Sequence, residues 1–123
     1  TMLGSRRFLM GDYFADLEKT VLGVIDEERL GQPQFVRCVA GTDYEGDLLP
    51  ILEQIISITK IWFRGDPFKQ IRRGESSGIY LTEMAIWDTG ESSLITVMQD
   101  NKGLGTTMDL MFVGSRGTLY HKV

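Results

Sequence analysis

Between Asp47 and Arg64 the chain reads "DLLPILEQIISITKIWFR", apolar throughout except at Pro50, Glu53, Gln54, Ser57 and Lys60. At 3.6 residues per turn, Leu48, Leu52, Ile55, Ile56, Thr59 and Phe63 share one broad side, which Ile51, Ile58 and Trp62 widen. Glu53, Ser57, Lys60 and Arg64 form a narrow polar stripe. The pattern predicts a helix buried over most of its circumference, with one wet edge. Asp47 is the expected N-cap, Pro50 suits a first turn whose amides have no helical partner, and Gly65-Asp66-Pro67 is the expected stop. A bilayer-spanning helix needs about 20 predominantly apolar residues. This run is shorter and too often interrupted, so no membrane association is expected.

Upstream, Met2–Phe8 reads as a strand. Tyr13, Phe14, Leu17, Val21, Val24 and Ile25 then recur at helical spacing, predicting a helix from Asp12 to near Ile25, ahead of the charged "DEERLGQP" turn. A second strand is expected over Gln34–Ala40, followed by the loop "GTDYEGD". Beyond the central helix the character changes. The runs "PFKQIRR", "GIYLTEMAIWD", "SLITVMQD", "TMDLMFVG" and "TLYHKV" are short and β-rich, and "GESS", "TGES", "NKGLGT" and "SRG" separate them with turn chemistry. The prediction is one α+β domain spanning residues 1–123: a mostly antiparallel, open-faced sheet with two main helices packed on one face.

Alternation within the strands adds a constraint. Met108, Leu110 and Phe112 point one way and Met111 and Val113 the other; Leu94, Thr96 and Met98 oppose Ile95 and Val97. Both faces are substantially apolar, whereas a sheet covered by helices on one side should be polar on the other. Two helices cannot cover both faces, so the second face calls for another domain or a second copy of the sheet. A homo-oligomer through that face is expected.

The length of 123 residues, with 42% apolar and 24% charged, allows one domain with a real core. A net charge of −4 and a pI near 4.9 leave no basic face for nucleic acid or an anionic membrane, and point to small molecules or proteins as partners. The single cysteine, Cys38, lies in the strand-like "QFVRCVAG" and reads as a buried structural thiol. With no signal peptide in the sequence, a cytoplasmic location is expected. "GESSG" and "GLG" fall between β runs, not between a strand and a helix, so they do not cradle phosphate. One histidine, His121, and one cysteine far away in sequence are too few for a metal site of the usual kind. His121, in the last strand, reads as structural, and Glu53 with Lys60 is either a solvated pair or part of a strip facing a ligand cleft.

The order of these segments resembles the C-terminal domain of the glucose-fructose oxidoreductase, inositol dehydrogenase and MocA (Gfo/Idh/MocA) family. The likeness rests on Leu30-Gly31 ahead of the second strand, Trp62-Phe63-Arg64-Gly65 at the helix end, the turn Asp88-Thr89-Gly90, and Gly114-Ser115-Arg116-Gly117-Thr118. It implies an N-terminal Rossmann domain, outside this sequence, that binds NAD or NADP. It also implies that this chain is a substrate-binding and oligomerisation domain excised from a longer one, binding no dinucleotide alone. In the family the central helix carries an Asp-x-Gly-x-His-x-x-Asp pattern whose histidine acts as acid or base. Counted back from Gly65, the histidine falls on Ile55 and the second aspartate on Ile58; a shift of one residue gives Gln54 and Ser57. Neither register restores a proton-transfer pair. The nearest polar candidates are Glu53 as the catalytic group, with Gln54 and Tyr44 binding substrate. Two readings follow: part of an NAD(P)-dependent oxidoreductase acting on a sugar- or polyol-like molecule, or a non-catalytic binding or scaffold protein that keeps the fold without the histidine.

Overall fold

The computed structural model describes residues 30–42, 46–75, 78–99 and 107–122, together with Lys19 and Gly23. A six-stranded sheet is its frame: β1 (Pro33–Thr42), β2 (Lys69–Gly74), β3 (Tyr80–Ile86), β4 (Ser92–Gln99), β5 (Thr107–Gly114) and β6 (Gly117–Lys122), in the spatial order β2-β3-β4-β1-β5-β6. One helix, α1 (Leu49–Phe63), connects β1 to β2 and packs on β4, β1 and β3.

The sheet is mixed. β1 pairs in parallel with β4, Cys38 opposite Ile95, and antiparallel with β5, Cys38 opposite Leu110; every other pairing is antiparallel. Four of the five pairings are thus antiparallel, as expected, and the parallel β1–β4 pair, which was not expected, makes the sheet mixed. Hairpin signals do place β2-β3-β4 and β5-β6, but β1 inserts between those two groups. A parallel neighbour needs a long crossover, and α1 with the β2–β3 hairpin supplies it. One complete helix, α1, stands among the described residues, where two were expected. The expected Asp12–Ile25 helix lies outside the described residues except for Lys19 and Gly23, both helical, and the expected Met2–Phe8 strand lies outside them altogether.

The core lies between α1 and one sheet face. Val36, Cys38 and Ala40 of β1, Ile95 and Val97 of β4, Leu81 of β3 and Met108, Leu110 and Phe112 of β5 meet Leu48, Ile51, Leu52, Ile55, Ile56, Ile58 and Trp62 of the helix segment, all buried. Trp62 lies edge-on to Phe112, ring centroids 4.9 Å apart. Such burial of large side chains contributes about 1.5–3 kcal/mol each, which fixes the roll of α1 about its axis.

The ends of α1 differ in detail from the sequence pattern. Leu48 occupies the N-cap position, while Asp47, one residue earlier, accepts the Leu49 amide on its carboxylate at 2.9 Å. At the far end Arg64, not Gly65, adopts the left-handed conformation (φ 61°, ψ 41°). Its amide donates to the Ile61 carbonyl and the Gly65 amide to that of Lys60.

Candidate functional site

The roll of α1 decides which residues can meet a ligand. Glu53, Gln54, Ser57 and Arg64 are exposed and Lys60 is half-buried, so the predicted polar stripe is present and Gln54 widens it. Ser57 donates its hydroxyl hydrogen to the Glu53 carbonyl at 2.9 Å, and Lys60 pairs with Asp66 at 3.2 Å. By contrast Ile55 is 1% exposed and Ile58 4%. Those two side chains face the sheet and cannot border a cleft. Of the two registers, only the one that aligns Gln54 and Ser57 presents side chains outward. The third predicted residue, Tyr44, lies outside the described residues, so the structure brings Glu53 and Gln54 together without it.

Neither Glu53 nor Gln54 has a side-chain partner among the described residues. Their helix face can accept hydrogen bonds from hydroxyls through the Glu53 carboxylate, and both donate and accept through the Gln54 amide. It can orient a polyhydroxylated molecule. A proton can move only at Glu53.

The start of α1 is a poor seat for a dinucleotide. The Asp47 carboxylate already occupies the Leu49 amide and Pro50 carries none, so the first turn offers an anion little and repels it. The described residues do not fit a pyrophosphate there. Cys38 is buried; burial, then the charge of Asp109, pushes its thiol up from 9.0 to about 12, which makes it inert as a nucleophile. Among the described residues no group of three or more His, Cys, Asp or Glu gathers to hold a metal.

Sequence reasoning missed two features. Glu83, only 2% exposed, lies on the helix-covered face of β3. It accepts from Arg72 Nη2 at 2.8 Å, Arg72 Nε at 3.2 Å and Gln70 Nε2 at 3.2 Å, both donors coming from the edge strand β2. A carboxylate in the middle of "YLTEMAI" gave one signal, its position among the inward-facing residues.

The second is a cavity of about 220 Å³ at the C-terminal end of α1, lined by Leu30, Gly31, Trp62, Phe63, Arg64, Glu91, Ser115 and Arg116 among others. It lies about 15 Å along the helix from Gln54, at a rise of 1.5 Å per residue. The short motifs noted in the sequence, scattered over 90 residues, meet around it. The Ser115 amide donates to the Gln32 carbonyl at 2.9 Å, the Arg116 amide to the Leu30 carbonyl at 2.8 Å, and the Gln32 amide to Ser115 Oγ at 2.9 Å. The fit is tight: a Cβ on Gly31, whose φ is +73°, would lie 2.3 Å from Ser115 Oγ, and one on Gly114 2.1 Å from the Leu30 carbonyl oxygen. On the other side Trp87 donates its indole hydrogen to the Gly65 carbonyl at 3.0 Å, and its ring packs on Phe63 at 4.2 Å.

The fold has counterparts among solved structures. An oxidoreductase domain protein from Kribbella flavida superposes with a TM-score of 0.69 at 12% identity, over 85% of this chain and 38% of its own. WlbA dehydrogenase from Bordetella pertussis, in complex with NADH and UDP-GlcNAcA, gives 0.65 at 12% identity, over 85% and 39%. Levoglucosan dehydrogenase, in complex with NADH and levoglucosan, gives 0.64 at 12% identity, over 83% and 36%. At this identity the likeness is one of fold, and this chain spans under two fifths of the length of those proteins. No family model matches the sequence, and no curated protein matches it.

Proposed function

We propose that this chain is the substrate-side and oligomerisation domain of an NAD(P)-dependent oxidoreductase acting on a sugar- or polyol-like molecule. An N-terminal nucleotide-binding domain of the same protein holds the dinucleotide. The observation that carries the reading is the shared fold: the structures it matches include dehydrogenases bound to NADH together with a sugar or a nucleotide sugar, and this chain accounts for only 36–39% of those chains. The exposed Glu53 and Gln54 support it as well, because they are the uncommitted polar groups on the helix that the family resemblance assigns to substrate.

The dinucleotide would supply hydride acceptance or donation. This chain's part is to hold the substrate hydroxyls and to manage the accompanying proton. Gln54 orients and Glu53 accepts the proton as the hydroxyl becomes a carbonyl, returning it in the reverse direction. A general base contributes about 10²- to 10⁴-fold, so in the full-length protein Glu53→Gln lowers kcat on that scale while Gln54→Ala mainly raises KM. Both positions are solvent-exposed, and neither change disturbs folding. Steady-state kinetics over a panel of sugars and polyols with each dinucleotide is the test.

The side chains in the outward-facing register favour a second reading. There the positions equivalent to the family's histidine and aspartate hold Gln54 and Ser57, which are not proton-transfer groups, and this suits a binding or scaffold protein that has kept the fold and lost the chemistry. A full-length protein that turns over nothing in that panel, yet binds a polyol with a Kd that Gln54→Ala weakens, selects this reading over the enzymatic one.

A further inference from the structure

We propose that the cavity at the C-terminal end of α1 binds a small organic acid carrying a carboxylate and an adjacent hydrogen-bond donor, that is, an α-hydroxy or α-amino acid. The site is distinct from the Glu53–Gln54 face and does not depend on its role.

Two arginines border the cavity, one from the helix end and one from the β5–β6 turn. Neither guanidinium makes a hydrogen bond or ion pair among the described residues. Arg64 is there at a conformational cost. The left-handed region disfavours a Cβ by about 1–2 kcal/mol, glycine is its usual occupant, and Gly65 stands one position away. An arginine kept in that conformation aims a planar cationic fork at a place where a bare backbone would cap the helix more cheaply. The opposite wall is built with equal care: Gly31 and Gly114 admit no side chain, and three hydrogen bonds clamp the Leu30–Gln32 segment to Ser115 and Arg116.

The remaining lining selects among anions. Glu91 brings a carboxylate to the same cavity, with one oxygen engaged by the Thr89 hydroxyl and the other without a partner among the described residues. The C-terminal end of a helix also carries partial negative charge. A phosphate dianion would meet both of these. A monoanion with a hydroxyl or ammonium one carbon away satisfies the arginines with its carboxylate and Glu91 with its donor. About 220 Å³ is below the range of about 300–1,000 Å³ typical of drug-sized ligands, so the occupant is small. The rings of Trp62 and Phe63 line one side, and the indole of Trp87, packed on Phe63 and bonded to the Gly65 carbonyl beside Arg64, gives the site a spectroscopic reporter.

The test is a titration of the ¹⁵N-labelled chain, followed by NMR at low salt, with L-lactate, glycine, acetate and inorganic phosphate as separate probes. Saturable shifts of the Trp87 indole and the Arg64 and Arg116 Nε–H signals are expected with lactate or glycine in the millimolar range. Acetate, which lacks the donor, binds several-fold more weakly. Arg64→Gly should weaken lactate binding about tenfold, the loss expected for a charge-assisted hydrogen bond, without lowering the thermal midpoint, since glycine relieves the left-handed strain. Arg64→Asn serves as a second variant that tolerates this backbone. Glu91→Leu, which removes the acceptor, should bring lactate down to the level of acetate. The proposal is overturned if lactate and glycine give no saturable shift, if phosphate binds as tightly as either, or if the folded Arg64 variants bind like the wild type.

Discussion

Gln54 and Ile55 are neighbours in sequence and opposites in environment, the first exposed and the second 1% exposed. The hydrophobic pattern makes that distinction legible, because Ile55 belongs to the broad apolar side. The family-derived count from Gly65 alone favoured Ile55 as the site position and needed burial to correct it. Arg64 was less legible. Its membership of the polar stripe can be read from spacing, but nothing in the sequence says that it, and not Gly65, takes the left-handed turn. Cys38 was read as a structural thiol, and its environment yields a prediction. Burial and the nearby Asp109 charge hold its pKa near 12 in the fold against 9.0 for an unperturbed thiol. A raised folded pKa means that the native state favours the neutral form. The associated stability is complete below pH about 9 and is lost progressively as pH rises toward about 12. Urea midpoints of the wild type should therefore fall faster than those of Cys38→Ala through that window, and a thiol reagent at pH 8 should label Cys38 only at the rate of unfolding. Rapid labelling of the native chain would contradict this.

At the scale of elements, strand positions were legible because two-residue alternation and turn chemistry are local signals. Order in the sheet was not. The parallel pairing of β1 with β4 joins residues some 57 positions apart, as in Cys38 and Ile95, and no local pattern reports it. The edge strand β2 shows the consequence. It receives no contact from α1, and most of its residues are exposed. What ties it to β3 beyond the ladder is Arg72 and Gln70 on the buried Glu83 carboxylate. Removing a partner from a buried charge costs about 3–5 kcal/mol, at the lower end here because Arg72 is 41% exposed and Gln70 remains. Arg72→Ala should lower stability by about 2–3 kcal/mol and raise amide exchange along β2 and β3. Restoring an apolar pair, Arg72→Leu with Glu83→Leu, should recover much of that loss, since the unpaired carboxylate causes most of it. If the double substitution is as unstable as the single, the ion pair matters for its geometry and not for charge compensation.

For the whole molecule, the sheet has one face under α1 and one without cover from any described element. Rows across the uncovered face are set by register. One runs Ile71, Met84, Leu94, Arg37, Met111 and Tyr120; the next runs Arg73, Thr82, Thr96, Val39 and Asp109. Met84 is 43% exposed and Tyr120 70%, and Thr82 and Thr96 share a hydrogen bond at 2.9 Å. Apolar side chains are present on this face too, but it is banded, with a mainly apolar row, broken by Arg37, beside a polar and charged one. Six strands at about 4.8 Å spacing and seven or so residues at about 3.3 Å make a surface roughly 30 Å by 20 Å, close to the area that each partner of a standard interface contributes. A two-fold axis through the apolar row would set Met84, Leu94 and Met111 against their copies and bring Arg37 of one copy toward Asp109 of the other. The expected state is a dimer at micromolar concentration, measured by sedimentation equilibrium. Leu94→Asp should dissociate it by placing a carboxylate at the centre of that contact, while the fold, whose core lies on the opposite face, keeps its circular dichroism and thermal midpoint. A wild-type chain that sediments as a monomer at high micromolar concentration, or a Leu94→Asp dimer as tight as the wild type, would move the contact off this face.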